Sequence, residues 1–236
     1  MTLDSAVSGR LLATMPLHAI TSVYGEAGLR DRLLAEVSSF SPADRSRAEL
    51  ALATASRLHA ADRRQREPYV NHLLRVAIRV LSHYRVNDPD LACAALLHDS
   101  VEDHWAELAS GGREAAFAVL ADHFGGRVAG LVAAVTNPGY EPGRDRHEQY
   151  REHVGASLRA DPWARVIKVS DFTDNAVGLM HTSGPKMVKL AMKYRPLVPV
   201  LLEIVLLPDT PLGVEVKGKI VRQLGNAERR FASILD

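Results

Sequence analysis

Leu96-Leu97-His98-Asp99-Ser100-Val101-Glu102-Asp103 sets an imidazole and three carboxylates among apolar side chains. It follows the apolar run Leu91 to Ala95, so it reads as the end of a buried helix. On a helix, residues three and four apart share a face. His98 pairs with Glu102 in this way, and Asp99 with both Glu102 and Asp103. One helix end thus gathers an imidazole and three carboxylates. Burying such groups costs several kcal/mol per charge unless something compensates it, roughly the scale for uncompensated ions in proteins. A divalent metal is the simplest compensation. The alternative is a solvated, charged C-terminal turn. Interleaved Leu96, Leu97 and Val101 argue against it, and so do three acids at a helix C-terminus, which oppose the macrodipole.

Working outward, the surrounding sequence reads as helical almost throughout. Ala43 to Ala61 is Ala/Leu/Arg-rich behind a Ser41-Pro42 start. Tyr69 to Tyr84 carries apolar residues at helical spacing, and Asp88-Pro89 opens the helix that leads to His98. Arg113 to Phe124 and Arg127 to Val135 are separated by Gly125-Gly126. Arg144 to Arg159, Trp163 to Met180, Lys186 to Leu207 with a break near Pro196 and Pro199, and Leu212 to Ile234 complete the set. No segment alternates convincingly as a strand. The expectation is an all-α, single-domain helical bundle over 41–236, with 1–40 as an N-terminal helical extension.

The chain has 236 residues and a net charge of +1, which gives no footprint for nucleic acid. Its single cysteine, Cys93, excludes disulfide scaffolding within the chain and suits a reducing, cytoplasmic setting. There is no apparent signal peptide, and the longest apolar segment, Val198 to Leu207, is too short to span a bilayer, which takes about 20 residues. No membrane partner is expected.

A metal centre needs ligands from several elements. His72 lies in the first turn of its helix, within Pro68-Tyr69-Val70-Asn71-His72. Asp171 follows the apolar run of Val166-Ile167-Lys168-Val169-Ser170 and precedes Asn175 by four residues. Each alone is ordinary; together with His98-Asp99 they make a His, His-Asp, Asp set.

That set resembles the signature of the HD-domain metal-dependent phosphohydrolases. Within them the chain is similar to the hydrolase domain of Rel/SpoT-type enzymes and to stand-alone small alarmone hydrolases. The tracts around Tyr69 to His72, Ala94 to Asp103 and Val166 to Asp171 carry the likeness, with Asn175, His123-Phe124-Gly125 and Val135-Thr136 in support. The resemblance implies an HD-type bundle in which His72, His98, Asp99 and Asp171 bind a metal, commonly Mn²⁺. It implies catalytic roles for Glu102 and Asp103 beside the metal. It further implies that Arg64 stacks on guanine, that Asn175 contacts the sugar, and that Arg144 takes a phosphate. Gln65 and Asp174 depart from the family pattern. The activity implied is removal of the 3′-pyrophosphate of (p)ppGpp, a small-molecule nucleotide. The chain has no room for the synthetase domain of long Rel enzymes, so it is expected to act alone. Two alternatives remain at this level: hydrolysis of another nucleotide such as NADPH or a 3′-phosphonucleotide, and an inactive nucleotide-sensing module.

Overall fold

The computed structural model describes residues 11–64, 67–137, 139–178 and 185–236. Residues 1–10 of the expected extension, Gln65 and Met180 lie outside these. The chain divides into two compact units, Met1–Ala129 and Gly130–Asp236. The described residues are helical apart from loops and one short ribbon, as expected of an HD-type, all-α chain.

The first unit contains α1 (Leu17–Val37), α2 (Pro42–Leu58), β1 (Arg63–Arg64), β2 (Glu67–Pro68), α3 (Val70–Ile78), α4 (Pro89–Leu97), α5 (Ser100–Leu108) and α6 (Arg113–Phe124). Its centre is α4, every residue of which from Leu91 to Leu97 is fully buried. Burying a leucine contributes roughly 1.5–3 kcal/mol, so this short helix is held by its surroundings rather than by propensity. Helices α2 and α3 pack against it, and α1 packs on α3. Ile20, Leu29, Leu33 and Val37 of α1 are buried, which makes α1 part of this core. The Asp88 carboxylate caps α4 by accepting from the amides of Asp90 (3.0 Å) and Leu91 (3.2 Å), and Pro89 supplies the preset first turn.

Two local features differ from the sequence reading. The expected helix Tyr69 to Tyr84 is α-helical only to Ile78 and continues as a π-helical turn over Arg79–His83. The segment before it folds back as an antiparallel ribbon, Arg63 opposite Pro68 and Arg64 opposite Glu67. Two-residue strands are too short to show alternation. What holds the ribbon is side-chain anchoring: Arg75 of α3 grips both Glu67 carboxylate oxygens at 2.8 and 2.9 Å, and Asn71 donates to Glu67 at 3.0 Å.

Gly125 ends α6 with φ +93, a conformation that L side chains rarely adopt, and α7 (Gly126–Val135) follows. The second unit holds α8 (Arg146–Ala160), α9 (Pro162–Gly178), α10 (Pro185–Tyr194), a 3₁₀ turn (Arg195–Leu197), α11 (Val198–Leu206) and α12 (Val214–Leu235). The break at Pro196 and Pro199 falls where the sequence placed it. Helix α12 packs on α9, α10 and α11. Fully buried Arg165 ties this unit together, donating to Asp209 Oδ1 at 2.6 Å, Thr210 Oγ1 at 2.9 Å and the Leu158 carbonyl at 2.6 Å.

Candidate metal centre and catalytic site

The His98-Asp99 pair does not sit at the end of one helix. Helix α4 stops at Leu97, His98 and Asp99 form a turn, and α5 begins at Ser100. This corrects the sequence reading, and the physical consequence is favourable. Glu102 and Asp103 occupy the first turn of α5, where carboxylates complement the helix dipole instead of opposing it. The backbone still brings Asp103 back over Asp99, with the Asp103 amide 3.0 Å from the Asp99 carbonyl.

In the first unit the turn meets the start of α3. The imidazoles of His72 and His98 are both 1% exposed, with ring centroids 5.2 Å apart. Asp99 Oδ2 lies 3.2 Å from His98 Nε2 and 3.7 Å from His72 Nε2. The Tyr69 hydroxyl donates to the same oxygen at 2.7 Å. Burial, then the Asp99 charge, raises the Tyr69 phenol far above its ordinary value, so it remains a donor.

The donor set fits a cation. His98 Nδ1 lies 2.8 Å from the Ala95 carbonyl, which can only accept, so Nδ1 carries the proton. His98 Nε2 lies 3.2 Å from a carboxylate oxygen, which can only accept. The two atoms at that distance require a shared proton or a cation between them. The backbone hydrogen bond on the far nitrogen is also the usual way a metal-binding imidazole is oriented.

Glu102 is half-buried and Asp103 is exposed. Lost hydration is the larger push on Asp103, followed by the carboxylates of Asp99 and Glu102, and together they hold it up at about 6. Arg64 sits on β1 with its guanidinium carbon 5.4 Å from the centre of the Tyr69 ring.

The other residues singled out in the sequence belong to the second unit. On α9, buried Asp171 accepts from Asn175 Nδ2 at 2.6 Å, and Lys168 Nζ lies 3.2 Å from its other oxygen. Asn175 is therefore a partner of Asp171, one helical turn away. Asp174 is 7% exposed. Arg144 is exposed, held by Glu152 at 2.9 Å and Glu141 at 3.7 Å.

Sequence spacing does not reveal the hydrogen bond from the Tyr69 hydroxyl to Asp99. The same holds for His59, which stacks on Tyr69 with ring centroids 4.7 Å apart. A His ten residues before a Tyr carries no periodicity that would couple them.

Comparison with known proteins agrees with this architecture. Residues 51–158 match the HD domain family. The matched stretch is a little under half of the chain and takes in both buried histidines, His72 and His98. The chain is similar to the guanosine-3′,5′-bis(diphosphate) 3′-pyrophosphohydrolase MESH1 of Drosophila melanogaster, 32% identical over 111 residues, which are 47% of this chain and 55% of that protein. It is 35% identical over 105 residues to the MESH1 of Danio rerio, covering 44% and 51%. It is 30% identical over 182 residues to the guanosine-3′,5′-bis(diphosphate) 3′-pyrophosphohydrolase of Aquifex aeolicus, covering 75% of this chain and 24% of that one. The chain thus spans about half the length of the MESH1 relatives it matches. A solved structure described as a metazoan orthologue of SpoT that hydrolyses ppGpp shares the fold with a TM-score of 0.60 at 23% identity, over 78% of this chain and 95% of that one. Among the described residues, no helix is long and apolar enough to cross a membrane.

Proposed function

We propose that the chain is a metal-dependent hydrolase that removes the 3′-pyrophosphate of guanosine alarmones, giving GDP or GTP and pyrophosphate. The observation that carries the reading is the His98-Asp99 turn: an imidazole nitrogen and a carboxylate oxygen 3.2 Å apart, buried beside a second imidazole. The likeness to relatives named for that activity supports the substrate. The nucleotide is a small molecule, and a cytoplasmic setting suits both it and the single thiol, Cys93, whose pKa burial pushes up to about 12.

His72, His98, Asp99 and Asp171 would hold the ion, proposed to be Mn²⁺, since mixed imidazole and carboxylate donors suit it. When bound, such an ion supplies Lewis-acid charge and lowers the pKa of water. The chain's own residues do the rest. Glu102 and Asp103, in the first turn of α5, orient the attacking water and take its proton. The water oxygen bonds to the phosphorus next to the ribose, the bond to the 3′-oxygen breaks, and that oxygen leaves with a proton as the free hydroxyl. The Tyr69 hydroxyl keeps Asp99 oriented. Arg64, on the anchored ribbon, offers a guanidinium plane to the base, and Asn175 and Arg144 are proposed to meet sugar and phosphate.

The test is a substrate panel. Mn²⁺-loaded protein is given ppGpp, pppGpp, NADPH and adenine 3′-phosphonucleotides, and products are resolved by chromatography. Pyrophosphate with GDP or GTP is the expected result. Faster turnover of an adenine 3′-phosphonucleotide sinks the alarmone assignment but keeps a hydrolase. Inactivity on every nucleotide with Mn²⁺ bound supports a nucleotide-sensing module instead.

A further inference from the structure

The first unit holds a second set of ligand-type side chains that the proposed reaction does not use. His59 closes α2, Asp62 lies in the turn before β1, and His104 stands at a kink in α5, with φ −132 and ψ 27 inside an otherwise helical segment. Asp62 Oδ2 lies 2.7 Å from His59 Nδ1 and 2.7 Å from His104 Nε2. The three residues can each present one ligand atom with all three atoms within 4.8 Å of one another. The rings are fixed in place: His59 stacks on Tyr69, and His104 meets His59 edge-on at 4.5 Å between centroids.

We propose that His59, Asp62 and His104 form a second cation site, suited to a zinc-type transition metal and separate from the one at His72, His98 and Asp99. The inference stands apart from the hydrolase reading and does not need it.

Protein groups alone do not satisfy His59. Its side chain is fully buried, and its Nε2 has no hydrogen-bond partner. Burial, partly offset by the hydrogen bond to Asp62, lowers its pKa, so the ring is neutral near pH 7. With the proton on Nδ1, the Nε2 lone pair is buried without a donor, at a cost of about 1–3 kcal/mol. With the proton on Nε2, the Nδ1 lone pair faces a carboxylate oxygen at 2.7 Å. A cation taken up by Nδ1 removes the mismatch toward Asp62, and Nε2 then carries the ring proton.

His104 is arranged as metal-binding imidazoles usually are. Its Nδ1 donates to Glu107 Oε1 at 2.6 Å, leaving Nε2 for the site, and a carboxylate on the far nitrogen raises ligand basicity. Although burial opposes charge, Asp62 and Glu107 hold its pKa above the ordinary value. An incoming cation would therefore displace a proton from Nε2 while the Glu107 bond persists. Two imidazoles and a carboxylate with a fourth position left open match the donor set of three-ligand zinc sites. The competing arrangement is a proton-bound chain from His59 through Asp62 and His104 to Glu107. Either one straps the end of α2 to α5 across the base of the ribbon that carries Arg64.

Chelator-stripped protein should be titrated with Zn²⁺ by calorimetry and with Co²⁺ by visible absorption, in an Asp99→Ala background that disables the other site. One equivalent is expected, with the d–d bands of a low-coordinate Co²⁺. Asp99→Ala/His104→Gln and Asp99→Ala/Asp62→Asn should lose affinity by at least about 10²-fold, and Asp99→Ala/Glu107→Gln by about 10-fold, the range seen when metal surroundings are altered. Unchanged affinity in the first two double variants overturns the site and leaves the proton-bound chain. If Asp99→Ala does not fold, the parent and His104→Gln are compared directly, with circular dichroism as the check on folding. Two equivalents falling to one supports the site, and an unchanged number overturns it. The hydrolase reading fails separately, if His98→Ala and Asp99→Ala leave the number of bound ions unchanged.

Discussion

The first unit contains two clusters of imidazoles and carboxylate, and they differ in how their histidines are held. At His72 and His98 the Asp99 oxygen stands 3.2 to 3.7 Å from the ring nitrogens, and a tyrosine occupies its remaining lone pair. At His59 and His104 the Asp62 oxygen stands 2.7 Å from both nitrogens, a distance at which a proton is shared. The wider set is spaced for something larger than a proton. The tighter set must expand by some tenths of an ångström to admit an ion, so it should bind later and more weakly. The lesson is that residue type alone does not rank metal sites; separation and the outer hydrogen bonds do.

Asp99→Ala should have the largest effect on the wider cluster and none on the tighter one. If the wider cluster is the catalytic centre, this change removes a ligand and the anchor of Tyr69. Turnover on ppGpp should fall by at least about 10³-fold, the kinetic equivalent of several kcal/mol of lost charge stabilisation. The parent's rise in melting temperature with Mn²⁺ should vanish with it, because a ligand that binds only the folded state stabilises by mass action. A variant that retains both assigns the centre elsewhere.

Glu102→Gln and Asp103→Asn separate proton handling from ion binding. Both residues follow the ligand turn on α5, so the Mn²⁺-induced stabilisation should persist. Turnover should fall by about 10²-fold or more, as for other positioned acid-base groups. Full activity in both variants removes them from the mechanism.

Arg64→Ala tests the ribbon. A stacking contact with a base contributes about 1–3 kcal/mol, so KM for ppGpp should rise roughly 5- to 150-fold with little change in Mn²⁺ affinity. An unchanged KM means that the guanidinium serves Tyr69 alone.

Much of this was legible in the sequence, for identifiable reasons. Long apolar periodicities gave the helices, and Pro196 and Pro199 gave the break between α10 and α11. The His98-Asp99 tract stood out because four ligand-type residues fall within six positions of an apolar run. What was not legible depended on the break at His98 itself: Leu97-His98-Asp99-Ser100 has no glycine or proline to end a helix, and its one boundary signal is Asp99 three residues before Glu102, the pattern of a helix start. The ribbon was missed because side chains of α3, Arg75 and Asn71, hold Glu67 in place. The second cluster was missed because His104 stands 42 residues from Asp62. His59 and Asp62 alone look like an ordinary helix end. Only the folding of α5 beside α2 joins them.

The smallest effect concerns Asp88, which starts the helix leading into the His98-Asp99 turn. Its carboxylate does two jobs: Oδ1 caps α4, and both oxygens receive the Arg127 guanidinium, at 2.9 and 2.6 Å. Burial works to raise its pKa, but Arg127 and the two amides outweigh it and hold the carboxyl below its ordinary 3.8. Asp88→Ala removes cap and ion pair and should cost about 1 kcal/mol. Asp88→Asn keeps a capping oxygen and loses only the ion pair, and because Arg127 is partly exposed this should cost a few tenths of a kcal/mol, on the order of a surface pair. The pH dependence separates the two jobs. A carboxyl with a depressed folded-state pKa stabilises the fold fully above its unfolded value and loses that contribution as pH falls through the folded value. The difference between parent and Asp88→Asn should therefore be constant from neutral pH down to about 4 and close below that. The cost of Asp88→Ala should shrink over the same range but not vanish, since a protonated carboxyl oxygen still accepts from the amides. Urea melts of the three proteins at pH 7 and pH 3 measure this. A gap between parent and Asp88→Asn that persists unchanged at pH 3 would show that Arg127 contributes through packing, and that the α4 start is held independently of charge.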